Sequence, residues 1–369
     1  MYYPSIHDLK KENQERALRL EHPEEKPLNA IAPNQPLIVP GKFSFQEPGT
    51  PQELDALYNS LLDMANLEDD PKKAQNYLNL LSRMKSINGL TESVYAEFLY
   101  NKNTMSNWID EIESAVSKQS FFKTPKTKVL TLPIELASYL RHQWEDVNQM
   151  SRDLFNEIIF SQFDLDENKS YFIKTGTFSS KFVFHNAHCK EPLEMGDYFH
   201  VIHNFAQMVG AAHSNDLVVR EYIEDVEDNP TIYGGMPLRT EFRAFVDFDK
   251  NIVEGVVPYW HPIVMQRYLQ KHATESGDMS HMEDFLTYGK HIDKLESEFN
   301  EHQSEIGRQL ENILPNINLS GRYSVDVMKN GDDFYIIDLA LTEESALSEF
   351  ITNYQYRGGS DPSQVNDLF

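Results

Sequence analysis

The spacing of apolar positions divides the chain into a helical first part and a mixed second part. Leu54, Leu57 and Leu61 recur at helical spacing, which predicts an amphipathic helix. Shorter helical patterns follow around Val94–Tyr100 and Trp108–Val116. This part contains no recognisable catalytic constellation, and we interpret it as a small helical module.

From residue 128 onward, the alternation of apolar and polar positions that is typical of strands becomes frequent. The predicted strands are Tyr171–Lys174, Lys181–Phe184, Leu217–Ile223, Glu241–Phe248, Ile252–Val257, Tyr323–Met328 and Phe334–Leu339. Helical patterns cover residues 133–160 and 197–212, and a longer one runs through an insertion at 262–320. The mixture predicts an α+β fold.

These patterns predict a division into four parts. Residues 1–49 are rich in proline and charge and are expected to form an extended or partly disordered arm. Residues 50–127 form the helical module, 128–352 the α+β domain with the insertion 262–320, and 353–369 a flexible tail.

Charge and cysteine content narrow the functional classes. The chain has 58 acidic and 33 basic residues, a formal net charge of −25, which makes binding to nucleic-acid backbones unlikely because like charges repel. Its single cysteine, Cys189, suits a reducing compartment. With no signal-peptide pattern and no apolar run of membrane-spanning length, the expectation is a cytoplasmic protein without a membrane partner.

The first candidate for chemistry is Lys174 and the loop that follows it. A lysine at the end of an apolar strand needs an anion or water nearby. The loop contains Gly176, Ser179, Ser180 and Lys181, whose amides and hydroxyls can approach phosphate oxygens. This is not a Walker loop, because the order Gly-x-x-x-x-Gly-Lys-Ser/Thr that defines such a loop is absent. A plain hairpin with a solvent-reaching lysine remains the alternative.

The second candidate is the strand that ends in Arg220 and continues through Glu221, Tyr222 and Ile223. If it lines a cleft, its free backbone groups can pair with an adenine edge, and Arg220 supplies a fixed cation. An edge strand with solvated charges would show the same pattern.

The third candidate is the set of Arg239, Glu241 and Arg243, which share one face by the two-residue strand period. Two guanidiniums and a carboxylate on one face suit a polar cleft, where arginine binds phosphate or carboxylate through paired hydrogen bonds. A ladder of surface ion pairs is the alternative.

The fourth candidate is the pair Asp326 and Asp338, each inside an apolar run. A three-residue turn at Asn330–Asp332 would put Ser324 opposite Asp338 and leave both aspartates on one face as diagonal neighbours. Two close carboxylates repel unless a proton or a cation intervenes, and Mg²⁺ with nucleotide phosphates fits that demand. A two-residue Asn-Gly turn would place the aspartates on opposite faces.

Taken in order, these segments resemble the ATP-grasp superfamily. The branch that they resemble contains the cell-division-cycle assembly chaperone of eukaryotic initiation factor 2 and related bacterial and phage proteins. The matching segments are Phe172–Lys174 with its loop, Val218–Glu221, Glu241–Val246, Ser324–Val327 and Ile336–Asp338. The resemblance spans residues 128–345 and implies a nucleotide held between two antiparallel-sheet subdomains.

The resemblance also implies roles for single residues. Lys174 would contact the ATP α- and β-phosphates, and the linker 221–223 would meet adenine through its backbone. Arg220 and Arg243, with Arg239 beside them, would face phosphates or an acyl-phosphate. Asp326 and Asp338 would hold Mg²⁺.

One position departs from the family pattern. The Asn that normally follows two residues after the second acidic ligand is replaced by Ala340, with Glu343 or Glu344 as conceivable substitutes. The implied function is an ATP- and Mg²⁺-dependent ligase that activates a carboxylate for attack by an amine-type nucleophile, either of which could belong to a protein. The alternative is an ATP-binding assembly or interaction protein with little or no turnover. A third hypothesis is a structural protein with a degenerate ATP site.

Overall fold

The computed structural model describes residues 92–141, 144, 147, 149–211, 213–267 and 279–351. The predicted arm, the helices predicted before residue 92 and the predicted tail lie outside these residues. The helices are α1 (Glu92–Leu99), α2 (Ile109–Val116), α3 (Ile134–Tyr139), α4 (Gln149–Gln162), α5 (Phe184–Ala187), α6 (Met195–Met208), α7 (262–267) and α8 (Met279–Ile313). The helical patterns around Val94–Tyr100 and Trp108–Val116 thus form α1 and α2.

The strands form two main sheets and a short hairpin. In chain order they are β1 (Phe122–Lys123), β2 (Thr127–Thr131), β3 (Tyr171–Thr175), β4 (His188–Cys189), β5 (Asp216–Glu221), β6 (Thr231–Ile232), β7 (Met236–Pro237), β8 (Glu241–Asp247), β9 (Ile252–Pro258), β10 (Arg322–Asn330) and β11 (Asp333–Leu341). The mixture of helices and antiparallel sheets confirms the predicted α+β class.

The first sheet has four antiparallel strands in the order β2-β5-β3-β4. One face carries apolar residues such as Ile173 and Val219, which pack with Phe155 of α4 and Phe199 of α6 in one core. Because side chains alternate along a strand, residues next to Ile173 and Val219, including Lys174 and Arg220, point to the opposite face.

The second sheet has five strands in the order β1-β11-β10-β8-β9. Its pairs are antiparallel except β1 with β11, which is parallel. Phe242 of β8 and Val327 of β10 pack with Ile306 and Leu310 of α8, so the long helix of the insertion covers one face. The other face turns towards the first sheet, and the cleft between the two sheets is the arrangement expected of an ATP-grasp fold.

Residues at the N-terminal end of the described chain also join this second core. Met105, Trp108 and Ile112 are buried with residues of β8 and β10, and β1 extends the sheet at its edge. The boundary placed at residue 127 therefore does not coincide with a break in packing, while a separate module at 50–127 stays a prediction.

One predicted strand is wrong. Lys181–Phe184 does not continue as a strand but forms a 3-10 turn, Lys181–Val183, followed by α5. The backbone of Ser180 has a φ of 50°, in the left-handed region that redirects the chain. The amide of Phe184 then donates to the carbonyl of Tyr233, and its ring is buried beside Tyr233, so tertiary packing overrides the local strand preference.

Candidate functional site: a charged cleft between the two sheets

The cleft between the sheets holds about 800 Å³ of space not filled by protein atoms, including its open mouth. Both sheets supply charged side chains to it. The predicted site residues that line it are Lys174, Ser179, Lys181, Arg220, Glu221, Tyr222, Ile223, Arg239, Glu241, Asp326 and Asp338. Residues far apart in the chain, predicted from four separate segments, are thus brought together.

A turn and a β-bulge together place the two aspartates opposite each other. The turn is shorter than the one that the sequence analysis considered for this arrangement. The β10–β11 turn has two residues, Gly331 and Asp332, because Asn330 pairs with Asp333. The predicted three-residue turn is therefore wrong. A regular ladder after this turn would put Ile337 opposite Asp326.

A β-bulge restores the shared face. The register shifts by one residue between Val327, which pairs with Ile336, and Asp326, which pairs with Asp338. Ile337 is the extra residue, as a bulge requires. Asp338 consequently lies directly opposite Asp326 instead of diagonal to it. The prediction that both carboxylates share one face holds, but for a different reason.

Lys174 reaches across the cleft to Asp338. Its Nζ lies 2.8 Å from both carboxylate oxygens. The lysine is buried, whereas the Asp338 side chain is 39% exposed. Burial lowers the pKa of Lys174, and Asp338 opposes this shift. Burial alone would raise the pKa of Asp338, but Lys174, together with Arg220 and Lys181, keeps that pKa below its ordinary value. The pair is a salt bridge between the two sheets.

Arg243 makes the corresponding contact with Asp326. Nε and Nη2 each lie 2.8 Å from one carboxylate oxygen, the paired geometry that makes such bonds strong. The two side chains are 13% and 7% exposed, and the guanidinium also lies over the ring of Tyr259. Arg243, Asp326 and Asp338 are cross-strand partners in the sheet register and form one charged row.

Glu241 contributes a carboxyl group without an obvious partner. It is 7% exposed, and its Oε2 is buried without a hydrogen bond from the described residues. Burial raises its pKa, which nearby Lys181 partly opposes. Lys181 itself hydrogen-bonds to the hydroxyl of Tyr259. A buried carboxyl with an unused oxygen is costly for the fold and suits a group that receives a ligand.

Glu241→Gln is therefore expected to stabilise the protein at pH 8 by about 1–3 kcal/mol, because the neutral amide is less costly to bury than the charged carboxylate. Because the pKa of Glu241 is raised in the folded state, the wild-type protein loses stability as pH rises through that folded-state pKa. Below the ordinary pKa of glutamate, the carboxyl group is protonated in both states and this loss is absent. The gain should therefore vanish near pH 4. Urea unfolding of the variant and of wild type at pH 8 and at pH 4 measures this difference in the free energy of unfolding.

The same substitution at Glu254 on β9 provides the control. Glu254 accepts two hydrogen bonds from Arg322, so Glu254→Gln should destabilise at pH 8. Equal losses for both variants would show that Glu241 is satisfied in the fold and has no unused oxygen.

Arg220 and Arg239 line the cleft but are engaged by the protein itself. Arg220 donates from Nη1 to the carbonyl oxygen of Ile337. Arg239 bonds to Asp225 at 3.0 Å and to the carbonyl of Ile223 at 2.6 Å, which fixes the segment that follows β5. Their predicted contact with phosphates stays a prediction.

Three predicted residues lie elsewhere than expected. Gly176 and Ser180 do not line the cleft. A Cβ at Gly176 would overlap the hydroxyl oxygens of Thr104 and Ser214 and lie 2.9 Å from Asp216 Oδ2, so packing against this polar cluster accounts for the glycine. Arg243 also lies outside the lining and acts on the cleft through its salt bridge with Asp326.

Neither of the two glutamates that were considered as substitutes takes the place of the Asn that Ala340 replaces. Ala340 pairs with Ser324, whose hydroxyl hydrogen-bonds with that of Ser345 at 2.7 Å. Glu344 accepts a hydrogen bond from Asn103 in a 3-10 turn after β11. Neither Glu343 nor Glu344 lines the cleft.

The cleft also has an apolar lining, which was largely missed from the sequence. Met236, Met328 and Ile337 lie here with Phe172 and the ring of Tyr222. Met328 could have been found, because it follows Asp326 by two residues and so shares its face. Ile337 could not, since regular alternation would put it and its neighbour Asp338 on opposite faces. The ring of His188 stacks on Tyr222 with 3.8 Å between centroids.

The two aspartates of the cleft fit the ligand preference of a magnesium ion. Mg²⁺ prefers oxygen ligands and is commonly held by one or two carboxylates together with substrate phosphates. Asp326 and Asp338, facing each other on one side of the sheet, fit this preference. Among the described residues, no three His, Cys, Asp or Glu side chains gather into a complete metal site, so ligand oxygens would have to complete the coordination.

No described helix combines the length and apolarity of a membrane span.

Comparisons with known proteins give likenesses of structure only. No family model matches the chain, and no curated protein sequence does. Similar solved structures include C-terminally truncated Cdc123 from Schizosaccharomyces pombe, with 14% identity, a TM-score of 0.41 and coverage of 70% of this chain and 93% of that one. Cdc123 from the same organism gives 14% identity, a TM-score of 0.37 and coverage of 67% and 85%.

A D-alanine–D-alanine ligase from Bacillus anthracis, solved in complex with ATP, is also similar. Its identity is 10%, its TM-score 0.25, and the match covers 64% of this chain and 53% of that one. At such identities the likenesses describe the fold and assign neither a ligand nor a reaction to this chain.

Proposed function

We propose that the cleft binds Mg²⁺-ATP and that the protein uses it to activate a carboxylate for attack by an amine-type nucleophile. The observation that carries this proposal is the row of Arg243, Asp326 and Asp338 across three strands, faced by Lys174 from the opposite sheet. Two acidic oxygen donors and two cations around one cleft match the needs of a metal–triphosphate ligand.

The lining of the cleft offers suitable groups for both parts of ATP. Met328, Ile337 and Tyr222 offer apolar surface for a purine ring, since ligand pockets combine such surface with a few polar groups. Lys174 and Lys181 also line the cleft and supply positive charge for the phosphates. Asp326 and Asp338 are the residues that would hold Mg²⁺, which neutralises phosphate charge when bound.

The proposed reaction requires no side-chain nucleophile. An oxygen of the substrate carboxylate bonds to the γ-phosphorus as the bond from that phosphorus to the ADP oxygen breaks. The amine nitrogen then bonds to the acyl carbon, phosphate leaves and the amine loses a proton. Lys174 and Lys181 bind and orient the phosphates in this scheme, and positioning with charge stabilisation accounts for most catalysis of phosphoryl transfer.

A second candidate function is ATP binding with little turnover, in which the nucleotide orders a surface for a protein partner. The specific observation in its favour is the alanine at position 340, which offers no side-chain ligand. Glu344, which bonds to Asn103, does not replace it.

The first test is thermal unfolding with and without Mg²⁺-ATP. Ligand binding to the folded state at 100 times its Kd adds about 2.7 kcal/mol, and each kcal/mol raises Tm by roughly 2–4 °C for a chain of this order of size. Wild type should gain several degrees, and Lys174→Met should lose that gain.

Lys123→Met is the matched control, because Lys123 pairs with Asp333 at the exposed edge of β1, away from the cleft. It should retain the full ligand-induced shift. No shift in wild type at millimolar Mg²⁺-ATP would contradict the nucleotide proposal altogether. Release of ADP and phosphate in the presence of a pool of carboxylic acids and amines would favour the ligase, and stable binding without release would favour the interaction protein.

A further inference from the structure

We propose that Arg220 is a positioning residue that fixes the β-bulge at Ile337 and thereby holds Asp338 opposite Asp326, instead of acting as a phosphate ligand. The inference rests on the proposed binding of Mg²⁺-ATP and assigns the arginine a role at the metal end of that site. It follows from the strand register and from the hydrogen bonds of one guanidinium.

The bulge decides which residue faces Asp326. The two-residue turn at Gly331 and Asp332 fixes the ladder as far as the pair Val327 and Ile336. If the same residues paired in a regular ladder without a bulge, Ile337 would stand opposite Asp326, and Asp338 would point to the other face, because side chains alternate along a strand. The metal site therefore depends on the bulge being held.

A bulged residue loses its ladder partner, so its backbone groups need another one. The carbonyl oxygen of Ile337 accepts a hydrogen bond from Nη1 of Arg220. Arg220 belongs to β5 in the opposite sheet and is buried. A charged donor aimed at this carbonyl compensates for the pairing that the bulge removes.

The remaining contacts of the guanidinium also point into the protein. Nη2 lies 3.5 Å from the sulfur of Met105, in the segment between α1 and α2. Arg220 thus ties three elements together: β5, the bulge in β11 and this segment. Burial raises the pKa of Asp338, and the positive charge of Arg220 opposes this effect together with the larger contribution of Lys174.

The test measures the Mg²⁺ enhancement, defined as the Kd of ATP in EDTA divided by the Kd of ATP in Mg²⁺, by calorimetry on full-length protein. Arg220→Met should lower this enhancement at least 10-fold, because Asp338 is no longer held beside Asp326. Arg220→Lys should retain most of it, since an ammonium can donate to the same carbonyl. Loss of positive charge alone would act in the opposite direction, because it would strengthen the attraction of Mg²⁺ to Asp338.

A deletion of Ile337 provides the second arm. Removing the extra residue heals the ladder with Asp338 still opposite Asp326, so Arg220→Met in this background should no longer reduce the enhancement. If the deletion variant does not fold, the comparison of Arg220→Met with Arg220→Lys in the full-length chain decides.

Three results separate the possibilities. An enhancement that is unchanged or raised in Arg220→Met would overturn the inference, and equal weakening of ATP binding in EDTA and in Mg²⁺ would favour direct phosphate contact instead. An equal loss in Arg220→Met and Arg220→Lys would also overturn it. Failure of wild type to bind ATP under either condition would instead overturn the proposed function.

Discussion

Replacing Asp338 by asparagine is expected to change ATP binding in opposite directions in the absence and in the presence of Mg²⁺. In the absence of metal, the Asp338 carboxylate occupies Lys174 through two 2.8 Å contacts and repels incoming phosphates. The neutral amide removes a negative charge and releases the lysine, so ATP should bind about 10-fold more tightly in EDTA, which corresponds to about 1.4 kcal/mol. With Mg²⁺ present, the variant lacks one of two acidic ligands and should bind ATP at least about 10-fold more weakly than wild type.

The measurement is the Kd of ATP by calorimetry in EDTA and in excess Mg²⁺. Asp333→Asn serves as the control, because Asp333 lies on the same strand but pairs with the exposed Lys123. The control should change neither Kd appreciably, since surface ion pairs contribute little. Weaker binding of Asp338→Asn under both conditions would contradict the assignment of Asp338 to the metal and would favour a role in shaping the cleft.

Replacing Arg243 by methionine is expected to lower the free energy of unfolding by about 3–5 kcal/mol. Removing one partner of a buried ion pair leaves the other charge buried and uncompensated. Asp326 is 7% exposed and receives both of its short hydrogen bonds from Arg243. The stacking of the guanidinium on Tyr259 is lost as well, which adds to the effect. Urea unfolding of the ligand-free protein measures the change.

Two further variants make this test specific. The double variant Arg243→Met with Asp326→Leu removes both charges and should recover much of the lost stability, because well-packed apolar pairs can replace buried ion pairs. Arg308→Met removes the partner of Glu305 on the exposed face of α8 and should cost less than about 1 kcal/mol. A loss of that small size for Arg243→Met would show that Asp326 is stabilised by other means.

The elements around the cleft were largely predictable, because the strand and helix periods are local properties. The hairpin of β8 and β9 and the strands β10 and β11 lie where alternation of apolar and polar residues predicts them. The predicted strand at Lys181–Phe184 failed because the left-handed backbone of Ser180 and the packing of Phe184 depend on residues distant in the chain.

The chemical character of the site was also predictable from residue types. A lysine or an aspartate inside an apolar run carries a desolvation cost that indicates a charged partner, which singles out Lys174, Asp326 and Asp338. The sequence could not identify those partners. Lys174 meets Asp338 across 164 positions, and Arg243 meets Asp326 across 83.

The sequence by itself thus determined the strands β3, β5 and β8 to β11, the acidic and basic residues of the cleft and the α+β class. Only the tertiary structure decided that Asp326 and Asp338 face each other, because a two-residue turn and a bulge together set the register. It also decided that Arg220 points to Ile337 and Arg239 to Asp225. The physical reason is that a register shift of one residue reverses the face of every side chain beyond it, and no local period records where a bulge is stabilised.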